Sequence, residues 1–237
     1  MSGSKGVSAF KHYRILLAKD LRQEFRSKEM LSSMGIYSIL VLIVFGATLA
    51  QTSAKVDIVQ MSSGLIWALL IFTSLLGLNR SFAHEKEDAA LEGLLLVPMD
   101  RSVIYLAKAT ANLLFLVVVE LIVAPLFYVF FLSGSELSIT LPLVVWPLLA
   151  GTAGIAGIGT LLATIAINTR GRDVLLALLF IPLAFPLLYA CVSATTVAVV
   201  GGAAIDFAYV PALALAMGYD IVMLLVSWLL YDYVVSA

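Results

Sequence analysis

Charged positions along this chain are spaced so that long stretches hold none. Met30 to Ala54 carries no Asp, Glu, Lys or Arg, and neither does Ile58 to Asn79. Ala109 to Phe131 carries only Glu120, Leu137 to Thr169 and Val174 to Ile205 are charge-free, and Phe207 to Tyr231 carries only Asp220. About 20 apolar residues in a helix span the roughly 30 Å of bilayer hydrocarbon, and a charge at the centre of such a helix is costly. The pattern therefore predicts an all-α polytopic membrane protein with six transmembrane helices, near 31–50, 58–79, 109–131, 141–167, 174–195 and 208–231. The fifth gap is longer than one span requires. Its tail, 195–207 with Gly201-Gly202, is a candidate extracytoplasmic re-entrant segment.

Composition agrees with this reading. Of the 237 residues, 62% are hydrophobic and 12% are charged, with a mean hydropathy of +1.07. A soluble domain carries about twice that share of charge, so a cytosolic globular enzyme, a disordered chain and a nucleic-acid binder are excluded. A net charge of −1 gives no global electrostatic partner signal. The lone Cys191 leaves no disulfide framework and no cysteine-based metal centre within the chain, and no metal site or bound cofactor is expected.

The basic residues set direction. Thirteen of the fourteen Lys and Arg residues lie in the N-terminal stretch and in the second and fourth connections, and only Lys55 lies elsewhere. The positive-inside rule makes those segments cytoplasmic. Both termini are then cytoplasmic, as an even span number requires. The N-terminal stretch is expected to be an uncleaved anchor, because it is long and polar and the apolar run after it exceeds a signal peptide's.

Residues 1–30 form the cytoplasmic amphipathic part, ahead of the membrane domain 31–237. Phe10, Tyr13, Leu17, Leu21 and Phe25 recur at helical spacing, with Lys11, Lys19, Arg22 and Arg26 on other faces. The pattern predicts an elbow helix lying in the headgroup layer. The connection 80–101 is acidic in a basic leaflet, with Glu85, Glu87, Asp88 and Glu92 against Arg80 and Lys86. Leu91, Leu94 and Leu95 make an apolar stripe, Pro98 ends that helix, and Asp100 is placed to cap the next. Such a helix either docks into a groove on a soluble partner or is a loop helix with solvated charges. The turn 168–173, with Arg170, is a second candidate contact.

Two stretches resemble one family. LLGLNRSF, LEGLLLVP and LAK occur in order from Leu75 to Lys108. NTRGRDVLLALLFIPLAFPLLYA follows at 168–190, with Arg170-Gly171, Leu175-Leu176, Pro182 and Pro186 in the family pattern. Together they resemble the cytochrome c maturation heme exporter protein B (CcmB) family, permease subunits of the ABC-2 transporter type. Asn79 and Ala89 depart from the pattern, which has an acidic residue and a glycine there. The resemblance implies a cytoplasmic ABC ATPase partner (CcmA-type) docking on a coupling element that contains Arg80, Phe82, Glu92 and Pro98. It also implies heme-handling membrane subunits (CcmC- and CcmD-type) and a periplasmic heme chaperone (CcmE-type). Heme is then a candidate substrate, and ATP hydrolysis on the partner drives formation or release of the loaded chaperone. The localisation implied is a bacterial or archaeal cytoplasmic (inner) membrane.

The chain has no GxxxxGK[ST] phosphate loop, so it is expected to be a non-catalytic subunit that takes its energy from another polypeptide. Six spans are few for a solute pathway, so a homodimer or pairing with another membrane subunit is expected. The competing reading is an ABC-2-type permease for another substrate, such as a lipid-linked glycan or a drug. An intramembrane protease would need a Ser–His pair or HExxH at membrane depth, and His12 and His84 both fall outside the spans. Glu120 and Asp220 are the intramembrane polar candidates. Each is either a point on a transport pathway or a carboxyl hydrogen-bonded within the bundle. Ala150/Gly154 and Ala153/Gly157 give small-xxx-small spacing in the fourth span, serving either intrachain packing or a dimer interface.

Overall fold

The computed structural model describes residues 9–50, 58–87, 100–132, 141–166, 169, 171–201 and 205–236, without the side chains of 50, 58–60, 82–87, 141, 205, 206 and 236. Its helices are α1 (Ala9–Ser27), α2 (Glu29–Ala50), α3 (Ile58–Glu87), α4 (Arg101–Phe131), α5 (Leu141–Ala166), α6 (Arg172–Val200) and α7 (Val210–Ser236). A π-helical turn, Ile205–Tyr209, leads into α7. Among the described residues, six helices are long and apolar enough to cross a membrane: Glu29–Leu49, Met61–Ser81, Arg101–Phe131, Pro142–Ala166, Arg172–Val200 and Phe207–Val235. The six-span expectation is thus met.

The ends differ from the sequence reading where local chemistry sets them. α4 starts at Arg101, as the Asp100 cap predicts, eight residues before the stretch that hydropathy marks as the span. Asp100 caps it by accepting the Ser102 N–H at 2.9 Å, and nothing in 101–108 breaks the helix. Its 31 residues make it about 46 Å long, more than the hydrocarbon layer needs. Lys108, which counts with the connection in the sequence, therefore lies inside a helix and is buried. Residues 195–200 of the candidate re-entrant segment continue α6, which ends at Gly201 with φ +71°; 202–204 lie outside the described residues.

α5 is the hub, packed by α3, α4, α6 and α7. Its small residues make this possible. A Cβ at Gly151 would overlap the Trp67 ring, one at Gly154 would overlap Asp220 Oδ1 and Leu187, and one at Gly157 would overlap Leu224. The small-residue spacing of this span therefore serves packing within the chain, where van der Waals contact rather than hydrophobicity holds helices together in lipid. Pro147 leaves the Leu143 carbonyl without its helical N–H, and Tyr209 Oη donates to that oxygen at 2.7 Å.

α1 packs on α4 and α2. Tyr13 Oη donates to Thr110 Oγ1 at 3.1 Å, and Leu16 and Glu24 are the buried side chains of the helix. Tyr13, Leu17 and Leu21 of the apolar stripe pack against the bundle, while Phe10 and Phe25 at its two ends are 66% and 60% exposed. Glu24 is buried because its carboxylate accepts the Leu31 N–H at 2.8 Å. Lys28, with φ 55°, is the left-handed residue that turns α1 into α2.

Candidate functional site

Several polar links inside the bundle end on α5. Thr152 Oγ1 donates to Glu120 Oε2 at 3.0 Å, tying α5 to α4. Asn112 Nδ2 donates to Thr160 Oγ1 at 2.9 Å, and Tyr105 Oη to the Gly157 carbonyl at 3.2 Å. On the other flank Asp220, on α7, lies against Gly154. Trp67 Nε1 donates to Thr195 Oγ1 at 3.0 Å, joining α3 to α6, and Tyr219 Oη donates to the Leu183 carbonyl. Each such bond is worth only about 0.6 kcal/mol in a bundle. Their value is register, since each pair has one matching position on the opposing helix.

Glu120 and Asp220 sit at comparable depth on opposite sides of α5, beside Thr152 and Gly154. Both are buried, at 6% and 7% exposure. Glu120 Oε1 and Asp220 Oδ1 have no hydrogen-bond partner among the described residues. A carboxyl at this depth costs roughly 2.5–3.5 kcal/mol to insert ionised, and an oxygen left unpaired adds about 1–3 kcal/mol. The two differ in what they face. Glu120 lines a cavity of about 740 Å³, whereas Asp220 is wedged between packed helices.

The cavity lies at the end of the bundle away from Arg80 and Arg101. It is bounded by the start of α3 (Ser62, Ser63), the second half of α4 (Glu120 to Leu132), the start of α5 (Val144 to Leu149) and the end of α6 (Thr195, Val199). Its lining is apolar except for Glu120 and a few hydroxyls. Thr152, Asn112, Trp67 and the serines of α3 were missed in the sequence. Their signal was there, as polar groups at matching depths of neighbouring apolar spans, but which spans are neighbours is a tertiary fact.

The opposite end gathers the charges. Arg80, at the end of the apolar part of α3, donates to the Glu29 carboxylate at the start of α2. Arg101 and Asp232 pair at 3.2 Å and join α4 to α7. Phe82 and Glu85 lie on the last turns of α3, which runs on to Glu87. Asp88, Leu91, Glu92, Pro98 and Arg170 lie outside the described residues. Among the described residues, no three His, Cys, Asp or Glu side chains are grouped as metal ligands.

Six membrane-crossing helices wound about a small-residue hub, with a carboxyl of α4 lining an open cavity beside it, define a polytopic α-helical membrane protein. Its family follows from comparison: the model for CcmB protein matches residues 11–231, and the chain belongs to that family. It is similar to Heme exporter protein B of Pseudomonas aeruginosa, 27% identical over 176 residues, covering 74% of this chain and 77% of the relative. It is also similar to Heme exporter protein B of Rhodobacter capsulatus, 29% identical over 179 residues, with 74% and 78% covered. The protein of that name from Bradyrhizobium diazoefficiens is 27% identical over 197 residues, with 78% and 82% covered.

Proposed function

We propose that this chain is the membrane-embedded permease subunit of an ABC-type complex for heme export in cytochrome c biogenesis, in the bacterial inner membrane. The observation that carries the reading is the family match across 11–231, which spans all six membrane-crossing helices almost end to end. The relatives' name, Heme exporter protein B, supplies heme. The chain holds no phosphate-loop motif, so ATP is hydrolysed on a partner of the CcmA type.

Both termini are cytoplasmic in this reading, on the strength of the basic-residue distribution. The charged end of the bundle then faces the cytosol and the cavity faces the periplasmic half. Two features support the 80–101 connection as the ATPase dock. α3 runs past its apolar part to Glu87, and Asp100 caps the start of α4. A push on this connection is delivered directly to α3 and α4, both of which line the cavity. The companions are heme-handling membrane subunits of the CcmC and CcmD types and a periplasmic chaperone of the CcmE type, and ATP hydrolysis drives formation or release of the loaded chaperone.

The test is a pull-down in mild detergent from cells carrying Glu92→Lys or Leu91→Pro. Both variants should reach the membrane at normal levels and lose the co-purifying ATPase. Undiminished ATPase capture by both would remove the coupling assignment. Deletion of the gene should abolish c-type cytochromes. A deletion strain with normal c-type cytochromes would instead favour a permease for a different cargo.

A further inference from the structure

We infer that the cavity between α4 and α5 is a lipid-facing binding site for an amphiphile with an apolar body and a hydrogen-bond-donating head, specifically a lipophilic amine. The inference stands on the cavity's geometry alone and does not depend on heme or on ATPase docking.

Three observations meet there. The first is the floor. Glu120 lines the cavity and is 94% buried, one carboxylate oxygen is held by Thr152, and the other has no partner among the described residues. The Ser63 hydroxyl, also in the lining and also buried, has none either. A carboxylate in a low-dielectric wall, oriented by one hydroxyl and with its second oxygen open, accepts a donor strongly and an ammonium most strongly.

The second is the mouth. Leu121 and Tyr128 on α4 and Val145 and Leu149 on α5 line the same cavity yet are 70%, 42%, 47% and 42% exposed. These positions belong to membrane-crossing helices, so the opening meets acyl chains. A ligand enters sideways from the bilayer. The third is size. A volume of about 740 Å³ with largely apolar walls is within the range of small-molecule sites, and it is far more than a water or an ion needs. A buried carboxylate with no cation beside it among the described residues disfavours an anionic head, so the site selects by charge as well as by shape.

The experiment uses the full-length protein in nanodiscs and a twelve-carbon alkylamine with a photoreactive diazirine in its chain. The matching alkyl carboxylic acid serves as the second probe, and adducts are mapped by mass spectrometry. The amine should label the cavity-lining segments of α4 and α5, with the acid at background. Glu120→Gln should lower amine labelling by about tenfold, the loss of one charge-assisted contact. Leu149→Trp sits on the exposed rim and leaves the carboxyl in place; by narrowing the mouth it should lower labelling as well. It carries the test should the Gln variant fail to fold. Equal labelling by amine and acid, amine adducts spread evenly over all lipid-facing helices, or labelling unchanged by either folded variant would overturn the inference. Cytochrome maturation is read separately, so failure here leaves the permease assignment where it stands.

Discussion

α5 and α7 are both long apolar helices, yet they live in different solvents. Of the most hydrophobic window in each, 78% is buried inside the protein for the Pro142–Ala166 span and 17% for the Phe207–Val235 span. α5 carries Gly151, Gly154, Gly157 and Gly159 with Thr152, Thr160 and Thr164, and every one of these threonines is buried. α7 turns Leu225, Leu229 and Leu230 outward, where lipid rewards bulk. In water the buried helix would be the greasier of the two. In a bilayer the helix interior to the bundle is the one with small and polar residues, because apolar surface gains nothing by leaving hydrocarbon and close approach is what binds.

Substitution at the hub tests this contrast most severely. Gly154→Leu must displace Asp220 and Leu187, and overpacking of this kind costs about 1–3 kcal/mol or more. The bundle should lose its sharp unfolding transition in a detergent thermal melt, while Leu229→Ala on the outer face of α7 should melt within about 0.5 kcal/mol of the parent. A well-folded Gly154→Leu protein would mean that α5 is not the hub. Asp100→Ala comes next. It removes the α4 cap for about 1 kcal/mol, and hydrogen exchange should speed at 101–104 before anywhere else in α4. Thr152→Val should cost about 0.6 kcal/mol, up to roughly 1.7, because Glu120 Oε2 loses its donor; chemical unfolding in mixed micelles measures it. The smallest effect belongs to Asp232→Asn. Its pair with Arg101 is exposed, so it contributes about 0.2–1 kcal/mol at low salt and less at high salt.

The two buried carboxyls sharpen the same contrast from another side. In the sequence they are equivalent, one lone acid in each of two apolar spans. In the structure Glu120 opens onto a cavity and Asp220 is pressed against a glycine. That division could not be read from spacing, because it depends on which face of α4 and α7 meets α5. The N-terminal helix makes the same point in reverse. Of its apolar stripe, Tyr13, Leu17 and Leu21 meet the bundle and Phe10 and Phe25 stay exposed, while the buried carboxylate of Glu24, which accepts the Leu31 N–H, could not be read from the pattern.

Taken by itself, the amino-acid order determined the solvent, the number of crossings, the Asp100 start signal and the family, because each follows from local transfer free energy, local capping or a contiguous motif. The tertiary structure decided which helix is central, that Lys108 is buried, and where a cavity is left among four helix ends. Those are properties of pairs of helices. Hydropathy along one segment is a sum over single residues and contains no term for a neighbour.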